Sequence, residues 1–490
     1  MSNLPVKVAV ANSKLVGGSV NFTPDQKDAV DGIINFINAE FSKNHYAVGL
    51  CGPGGVGKTF VTNYIISNCK YANSAIRCTS PTHKACRVFS AAIGGKEVYT
   101  IQATFGFRLD LNLENFNPDR PQFNPKAKAK LDNIRVLFID ESSMLPAGLV
   151  GYIMKICKEK QIKIIFIGDD NQLPPVNERK STAFARCAKI YYLTTIVRQE
   201  QDNPIRGLLQ MLRKDIDNRS FNFINYISKH IGESYYNEVG EGFTITNPLG
   251  FKQCIDISFN DEKFTENIDM YRIIAYTNLR ISSWNNYVRN YIIKGSDKGV
   301  LTKNDLIMSN ETIVDDFLAP VIINSEEYII KDIVNYVDST YGFKGYMVKF
   351  QLIHGGKVTS PLFVIDSKDI NSIILYDRTL NELLVSAKQA TGGTRVSKWK
   401  EYFNFKKKYL LITNIVDRNN NIKTRASIDY GFAITSHKSQ GSTYDNVFVD
   451  INDIVFDRNN RIRTNTDEVL RMLYVACSRA RKQLILCYGN

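Results

Sequence analysis

Short apolar runs alternate with helix-like segments in the first 200 residues of the chain. Four runs have the length and composition of buried strands: HYAVGLCG, SAIRCTS, IRVLFIDE and KIIFIGD. The first helix-like segment, FTPDQKDAVDGIINFI, opens with Thr23 as a cap and Pro24 at the first helical position. Strands that alternate with helices favour a parallel sheet covered on both faces. We therefore predict an α/β domain that begins near residue 21, after a flexible N-terminus over 1–20.

A second strand–helix pattern occupies the C-terminal part of the chain. It opens with YRIIAYTN and resumes in DYGFAITSHKSQG, DNVFVDI and KQLILCYG. Between these parts, over 304–408, apolar and polar residues alternate as in antiparallel strands, for example in GYMVKFQLIHGG. This pattern predicts a small β domain inserted into a second α/β domain. The stretch at about 106–132 predicts an inserted subdomain or long loop, whereas 210–265 supports no prediction.

At 490 residues the chain exceeds what a single hydrophobic core usually supports, so two to four domains are expected. No apolar run approaches the roughly 20 residues that cross a bilayer, and the first residues lack the apolar centre of a secretory signal. We therefore expect a cytoplasmic protein without a membrane partner. The nine cysteines include no CxxC pair, which indicates reduced thiols rather than disulfides or a zinc site. The net charge of +13 favours binding to polyanions.

A glycine-rich turn follows the first predicted strand and precedes a helix-like stretch. Its residues, GPGGVGKT, match the pattern GxxxxGK[ST] of a phosphate-binding loop. Backbone N–H groups of such a loop surround phosphates, the lysine reaches the β and γ oxygens, and the final hydroxyl holds Mg²⁺. A chance glycine-rich turn is improbable at a strand–helix junction. The residues predicted to bind ATP here are Gly52, Gly54, Gly55, Val56, Gly57, Lys58, Thr59 and Phe60.

Polar residues at the ends of later strands complete a nucleotide site. Asp140 and Glu141 end the strand LFIDE, where Asp140 can bind Mg²⁺ and Glu141 can orient and deprotonate the attacking water. The next strand ends in the turn GDDNQLPP, whose Gln172 is suited to sense the γ-phosphate. Charge on the transition state can be offset by Arg198 in LTTIVRQ or Arg479 in LYVACSRAR. The set predicts Mg²⁺-dependent ATP hydrolysis.

Nine motifs in order resemble those of superfamily 1 helicases, in the 5′-to-3′ branch of Dda-like and RecD-like proteins. They are FTPDQ, GPGGVGKT, TSPTHKA, YTIQATF, FIDESSM, GDDNQLPP, LTTIVRQ, AITSHKSQGST and LYVACSRAR. The likeness covers the chain from about residue 21 to its end. It implies an α/β fold of two RecA-like lobes with ATP between them: 21–197, carrying a strand-splitting pin region at about 106–132, and 198–303 with 409–490. The segment 304–408 then resembles an SH3-like β domain.

The resemblance also implies an activity and some residue roles. Gln26 resembles the adenine contact, and Gly441 resembles the link between γ-phosphate and nucleic-acid track. Gln102 stands where close relatives often carry histidine, which is a departure from the pattern. The implied activity is an ATP-dependent DNA helicase that moves 5′ to 3′ on single-stranded DNA. The resemblance implies a role in replication, repair or recombination. It also implies a monomer that acts on forked or tailed duplexes, together with single-strand-binding or replication proteins. If a phage encodes the chain, its implied location is the host-cell cytoplasm.

A motor needs contacts to nucleic acid on both lobes, because its grip must loosen and reform as it moves. Hydroxyls, amides and lysines near the motifs suit contacts to phosphate and sugar. On the first lobe these candidates are Thr82, His83, Lys84, Thr100 and Gln102, and on the second they are Thr277, Asn278, Thr435, His437 and Lys438. Aromatic residues beside this path could stack on bases or, in the pin, part the strands. The candidates are Phe105, Phe107 and Trp284 for stacking and Phe116 or Phe123 for the pin.

The residues leave two alternatives to a DNA helicase. One is a nucleic-acid clamp that ATP switches on and off without unwinding. Glu141 together with both arginines favours fast turnover over such a switch. The other is the same motor acting on RNA, because no motif identifies the 2′-hydroxyl contact that would distinguish RNA from DNA.

Overall fold

The computed structural model describes residues 21–109, 123–125, 128–175, 178, 181–195, 203–293, 299–314, 320–353, 356–418 and 421–489. The chain divides into two compact units, the first formed by 1–108 and 123–201 and the second by 109–122 and 202–490. The flexible N-terminus predicted over 1–20 lies outside the described residues. The predicted boundaries at 197, 303 and 408 stay predictions.

The first unit carries an α/β sequence of elements. Its helices and strands are α1 (Pro24–Asn38), β1 (Ala47–Cys51), α2 (Lys58–Asn68), β2 (Ile76–Ser80), α3 (His83–Ala92), β3 (Val98–Thr100), α4 (Ile101–Phe105), β4 (Phe107–Leu109), β5 (Phe123–Pro125), β6 (Val136–Ile139), α5 (Ala147–Glu159), β7 (Lys163–Gly168), α6 (Thr182–Ala185) and β8 (Lys189–Tyr192). Strand β4 ends one residue past the boundary between the units.

A parallel sheet of six strands forms the centre of the first unit. Its strand order is β3-β2-β6-β7-β1-β8. The four predicted strands lie in the middle and pair in parallel, for example Val48 with Ile165 in β1 and β7. Side chains of β1, β6 and β7 are buried on both faces, as expected for a parallel sheet that helices cover. The carboxyl ends of these strands therefore meet at one edge.

The first helix of this unit is fixed at both ends. At its start the Thr23 hydroxyl accepts a hydrogen bond from the Gln26 backbone N–H, and the Gln26 carboxamide oxygen accepts from the Thr23 N–H at 3.2 Å. At its end the buried ammonium of Lys163, on β7, donates to the carbonyls of Phe36 at 2.6 Å and Ile37 at 3.2 Å. A cation at a helix C-terminus is favourable, because the last carbonyls lack partners within the helix.

The second unit contains the remaining elements. They are α7 (Ile205–Asn218), α8 (Asn222–Lys229), β9 (Ser234–Tyr236), β10 (Gly242–Thr246), α9 (Pro248–Phe259), α10 (Lys263–Glu266), β11 (Tyr271–Ala275), α11 (Asn278–Tyr287), which a π-helical turn over Val288–Ile292 continues, β12 (Leu306–Ser309), β13 (Ile313–Val314), β14 (Pro320–Ile322), β15 (Glu327–Val337), β16 (Lys344–Leu352), β17 (Leu362–Ile365), α12 (Ile370–Gln389), α13 (Gly393–Lys408), β18 (Tyr409–Leu410), β19 (Ile415–Val416), β20 (Ile422–Thr424), β21 (Ile428–Tyr430), β22 (Ala433–Thr435), α14 (Ser436–Ser439), β23 (Tyr444–Asp450), α15 (Ile451–Val455), α16 (Thr466–Cys477) and β24 (Ala480–Cys487). Short 3-10 turns lie at Asn73–Ala75, Ser142–Met144 and Ile268–Met270.

The second unit has its own six-stranded sheet of mainly parallel strands. The order is β22-β11-β23-β24-β10-β9, and only β9 runs antiparallel to its neighbour. Strands β11, β22, β23 and β24 are the predicted ones, so the two-sheet α/β fold is confirmed. Strand β10 comes from the stretch 210–265, which the sequence analysis left without a structure.

A third sheet, mainly antiparallel, lies in the same unit and has the order β18-β17-β16-β15-β12-β21. Two long helices, α12 and α13, follow its strand β17 and were not predicted. They pack with the sheet around a core that includes Phe343, Tyr376, Trp399 and Phe405. The antiparallel strands agree with the predicted pattern, whereas the likeness to an SH3 domain stays a prediction.

The second and third sheets share a buried ion pair. Arg272 on β11 is fully buried and donates to the carboxylate of Glu327, at the start of β15, over 2.9 Å. Its guanidinium also lies 4.6 Å from the ring centre of Tyr444 on β23. Apolar side chains from both sheets form one continuous core around this pair, among them Ile273 and Ile330.

The predicted pin region is described only in part. Strands β4 and β5 form a two-stranded sheet at its base. Phe123 begins β5, while Phe116 lies outside the described residues. In the part of the chain that the structure describes, no helix is both long enough and apolar enough to cross a bilayer.

Candidate nucleotide and nucleic-acid sites

The predicted phosphate loop connects β1 to α2 in the first unit. Gly55 and Gly57 have φ values of +85° and +83°, a backbone conformation that side chains with a Cβ disfavour. Gly52 is required for another reason, because a Cβ at this position would lie 2.4 Å from the backbone oxygen of Leu193. Its N–H donates to the carbonyl of Gly168 at the end of β7, over 3.1 Å. Gly52, the first residue of the loop, therefore lies between the ends of β7 and β8.

The lysine of the loop contacts the loop itself. The Lys58 ammonium donates to the carbonyl oxygens of Gly52 at 2.6 Å and Pro53 at 2.8 Å. These contacts hold a positive charge inside the turn at the N-terminus of α2, where the helix dipole also favours an anion. Thr59, the second residue of α2, is half-buried beside this lysine.

Two carboxyl groups follow β6 at the same sheet edge. The N–H of Asp140 donates to the carbonyl of Thr79 at 2.9 Å, which continues the pairing of β6 with β2. Burial, reinforced by the charge of Glu141, raises the pKa of Asp140 to about 7, while Lys58 opposes this shift. A carboxylate that burial disfavours in this way is one that a cation would stabilise. Glu141 has φ of +51°, a strained conformation for this residue type.

A serine that the sequence analysis missed supports this edge. Ser142 is fully buried; its hydroxyl donates to the carbonyl of Ile139 at 2.6 Å and accepts from the N–H of Ile167 at 3.2 Å. It therefore ties the end of β6 to β7, next to Asp140 and Glu141. The signal was present in the motif FIDESSM, where a small hydroxyl follows the acidic pair directly.

The turn after β7 lies beside the phosphate loop, because Gly168 accepts the hydrogen bond from Gly52. The carboxylate of Asp169, which is fully buried, accepts from the N–H of Asn171 at 3.1 Å. The Gln172 N–H donates to the Asp169 carbonyl at 3.2 Å, and this glutamine is 8% exposed. The turn that carries Gln172 therefore adjoins the phosphate loop through Gly168, and the role of Gln172 as a γ-phosphate sensor stays a prediction.

Gln26, the predicted adenine contact, is 1% exposed. Besides its cap hydrogen bond to Thr23, its carboxamide nitrogen donates to the carbonyl of Val56 in the phosphate loop, over 2.9 Å. It therefore connects α1 to the loop. Phe60, which is 42% exposed, lies with its ring centre 5.8 Å from that of Phe22 and offers an apolar surface nearby.

The two candidate arginines have different outcomes. Arg198 lies outside the described residues. Arg479 is 6% exposed, and its guanidinium donates to the carbonyls of Val475 at 2.9 Å and Ser442 at 3.1 Å, within the second unit. These bonds brace the turn at Gly441, which has φ of +73°, and the predicted role of Arg479 at the nucleotide stays a prediction.

The four threonines predicted to contact nucleic acid have one structural role in common. Each follows or ends a parallel strand, and its hydroxyl accepts a hydrogen bond from the first turn of the next helix. The N–H donors are those of Ala85 for Thr82 in α3, Ala103 for Thr100 in α4, Arg280 for Thr277 in α11 and Lys438 for Thr435 in α14. Both units therefore present capped helix N-termini at the carboxyl edges of their parallel sheets, where anions are favoured. The sequence analysis had named the residues but not this shared geometry.

The carboxylate of Asp453 fixes one of these threonines. It accepts hydrogen bonds from the N–H of Tyr276 at 2.8 Å, the N–H of Thr277 at 2.7 Å and the Thr277 hydroxyl at 2.7 Å. Tyr276 is half-buried; its ring centre lies 6.4 Å from that of His437 and 4.6 Å from the guanidinium of Arg463. Tyr276 is thus an aromatic beside the predicted track that the sequence analysis missed, although it lies within the quoted motif YRIIAYTN.

The other polar candidates differ in exposure. His83, Gln102 and Asn278 are exposed, and Lys84 is half-buried. Burial lowers the pKa of His437, which keeps its imidazole neutral near pH 7. Burial also lowers the pKa of Lys438, whose ammonium donates to the side-chain oxygen of Asn310 and lies near Asp429.

Two predicted stacking residues are corrected. Phe105 is fully buried in the core of the first unit, where its ring meets the edge of Tyr152. Trp284 is 9% exposed, and its indole N–H donates to Asp450 at 3.0 Å. Neither ring offers a face to a base, because α4 and α11 turn these side chains toward their sheets. Phe107 is half-buried against Tyr152.

Comparisons with known proteins find matches in both units of the chain. An AAA-domain family profile matches residues 22–227, and a UvrD-like helicase C-terminal domain profile matches 430–487. The uncharacterized protein R530 of Acanthamoeba polyphaga mimivirus is 24% identical over 523 residues, covering 94% of this chain and 99% of that protein. The ATP-dependent DNA helicase dda of Enterobacteria phage T4 is 25% identical over 293 residues, covering 59% of this chain and 61% of the phage protein.

A solved structure that concerns the unwinding of forked double-stranded DNA by two coordinating Pif1 helicases matches in fold. It covers 96% of this chain and 92% of that chain with a TM-score of 0.50 at 16% identity. Fold and phosphate loop together define a P-loop NTPase with two RecA-like sheets. The two profiles and the phage relative agree with the resemblance to superfamily 1 helicases of the 5′-to-3′ branch that the motifs carry. The activity named for the relatives, ATP-dependent DNA helicase, agrees with the kind of enzyme that the motifs predict.

Proposed function

We propose that the chain hydrolyses Mg²⁺-ATP at the loop between β1 and α2 and uses the turnover to move 5′ to 3′ along single-stranded DNA, unwinding the duplex it meets. One observation carries the proposal: the phosphate loop and the acidic end of β6 share a sheet edge with Thr82 and Thr100, and the second unit repeats the capped threonines at Thr277 and Thr435. A nucleotide site and a phosphate track thus belong to one scaffold.

In the nucleotide site, Lys58 would exchange its carbonyl partners for the β and γ oxygens of ATP. Asp140 and the Thr59 hydroxyl would hold Mg²⁺, and the raised pKa of Asp140 supports this role, since a divalent cation would keep its buried carboxylate ionised. The ion, when bound, offsets charge on the phosphates. Gln26 and Phe60 flank the loop and would contact the base.

For hydrolysis, we assign Glu141 to orient and deprotonate the attacking water. Its strained backbone fixes the carboxylate at the end of β6, beside the Ser142 bridge. Gln172 would sense the γ-phosphate from the adjoining turn. Arg198 would offset the transition-state charge, and Arg479 would act through the Gly441 turn that it braces.

On the track, the helix N-termini would hold successive phosphates through backbone N–H groups and capping hydroxyls. Such contacts carry no base information, which suits a motor that moves along any sequence. The exposed His83, Gln102 and Asn278 extend this surface, and Lys84 adds positive charge. Tyr276, in place of Phe105 and Trp284, would stack on a base.

The partners are proposed from chemistry and from the named relatives. The T4 relative is an ATP-dependent DNA helicase, and the matched Pif1 structure concerns forked DNA. We propose single-stranded DNA and forked or tailed duplexes as the substrates of a monomeric, cytoplasmic motor. Single-strand-binding or replication proteins are its expected companions.

ATP hydrolysis measured with and without single-stranded DNA or RNA tests the proposal, together with strand displacement on duplexes with a 5′ or 3′ tail. Hydrolysis stimulated by DNA and displacement only from the 5′ tail are the expected results. Stimulation without displacement on either tail would replace the helicase with an ATP-switched clamp or a plain translocase. Stimulation by RNA alone would move the motor to an RNA track.

A further inference from the structure

The carboxylate of Asp25 makes contacts that a helix cap does not need. One of its oxygens accepts from the N–H of Gln26 at 3.0 Å, within the first turn of α1. The other oxygen points away from this helix and accepts from the N–H of Thr194 at 2.7 Å and the N–H of Thr195 at 2.8 Å. These two residues follow β8, so Asp25 joins segments about 170 residues apart in the chain.

The same helix start also contacts the phosphate loop. Gln26, the next residue, donates to the carbonyl of Val56 at 2.9 Å. Leu193 makes a second link. Its N–H donates to the carbonyl of Cys51 at 2.8 Å, and its backbone oxygen lies so close to Gly52 that a Cβ at this position would not fit. The phosphate loop and the segment after β8 are therefore connected twice, once directly and once through α1.

The hydrogen bonds to Asp25 favour the charged form of its carboxyl group. Partial burial tends to raise the pKa of this carboxyl, but the hydrogen bonds from Thr23, Thr195 and Thr194 outweigh it and hold the pKa well below its ordinary value. Asp25 is therefore ionised near neutral pH. Hydrogen bonds to a charged acceptor are stronger than neutral ones, so two adjacent N–H groups on one carboxylate oxygen fix the local backbone.

We propose that Asp25 is a positioning residue that couples nucleotide occupancy of the phosphate loop to Thr194 and Thr195, which follow β8. The inference rests on the proposed ATP hydrolysis, whose candidate Arg198 follows Thr195 by three residues in the sequence. Asp25 touches neither ATP nor DNA in this role. It sets the backbone on which turnover depends, so its loss should affect the rate of the bound complex rather than nucleotide binding.

Asp25→Asn tests the coupling, because it keeps the size of the side chain and removes the charge. Asp28→Asn is the matched control, an exposed acid on the same helix. With single-stranded DNA present, we expect Asp25→Asn to lower kcat for ATP about tenfold while KM stays within about twofold, and Asp28→Asn to match the wild type. Equal kcat in the two variants overturns the proposal. A fall in kcat that only follows a loss of folded protein, read from thermal unfolding, overturns it as well, since the role is then structural.

Amide hydrogen exchange separates this inference from the proposed function. In the wild type, a non-hydrolysable ATP analogue should slow exchange at Thr194 and Thr195, and in Asp25→Asn the analogue should bind without slowing it. Equal protection in both proteins would refute the coupling even if ATPase activity is present. A wild-type chain that binds the analogue but never hydrolyses ATP would refute the proposed function, while the exchange result still decides the role of Asp25.

Discussion

Gly52→Ala should damage the phosphate loop although the added group is a single methyl. The ideal Cβ lies 2.4 Å from the backbone oxygen of Leu193 and 3.1 Å from a side-chain carbon of Val56. A Cβ needs at least 3.0 Å from that oxygen and has 2.4 Å, so the ends of β1 and β8 must separate by about 0.6 Å or more. Overpacking of this kind typically costs about 1–3 kcal/mol. Leu193 cannot yield easily, because its N–H is bonded to Cys51 on the same strand pair.

Gly54→Ala is the matched control, since a Cβ at Gly54 would meet no atom within 4 Å. Each kcal/mol lowers the melting temperature of a domain of this size by roughly 2–4 °C. We expect Gly52→Ala to melt several degrees lower than Gly54→Ala and to bind a fluorescent ATP analogue at least about tenfold more weakly, because the loop is displaced. Equal melting temperatures and equal Kd values for the two variants would refute the steric reasoning.

Three further predictions concern charged groups. Lys58→Ala should lower the rate of ATP hydrolysis by about 100-fold or more, while the affinity for single-stranded DNA, measured by fluorescence anisotropy, stays near the wild-type value. Loss of the fold in this variant would discredit the assignment of the loop. Glu141→Gln should bind ATP normally but hydrolyse it at least about 100-fold more slowly in single turnover, and an unchanged rate would remove its role as base. Burial raises the pKa of Asp429 to about 6. The neutral carboxyl therefore contributes its full stability to the fold below about pH 4, and this contribution is lost as the pH rises through 6. Asp429→Asn should therefore raise the free energy of unfolding by about 2–3 kcal/mol at pH 8 and by less at pH 5. Urea titrations at the two pH values measure this difference. Equal gains at both pH values would contradict the prediction.

The sequence predicted the strands that are apolar throughout and missed those that are short or mixed. KIIFIGD and IRVLFIDE became β7 and β6 because consecutive apolar residues suit a strand buried on both faces. β3 has only three residues and β8 is largely exposed, so neither produced such a run. Helix α13 was overlooked because its buried residues are three aromatics, Trp399, Tyr402 and Phe405, set among lysines that indicated only a basic segment.

Motif spacing likewise predicted which residues share the sheet edge that carries the phosphate loop, but not how the fold uses each side chain. The loop, Asp140 and Gln172 share one sheet edge because parallel strands end together. Whether a side chain faces solvent or core depends on contacts far away in the chain. For this reason Phe105 packs inward against Tyr152. The hydrogen bond that Asp25 accepts from Thr194, after the end of β8, likewise could not be inferred from motif spacing.

The Arg272–Glu327 pair has a consequence for how this architecture can be inherited or engineered. An antiparallel insert is usually regarded as a cassette that can be exchanged between homologues or deleted. Here, removal of the third sheet would leave the Arg272 guanidinium without its Glu327 partner in the interior of the second unit. Breaking a buried ion pair typically costs about 3–5 kcal/mol. Grafts between relatives would need to carry both partners, or replace both with apolar residues. Because the two sheets share this pair and one hydrophobic core, we expect them to unfold together.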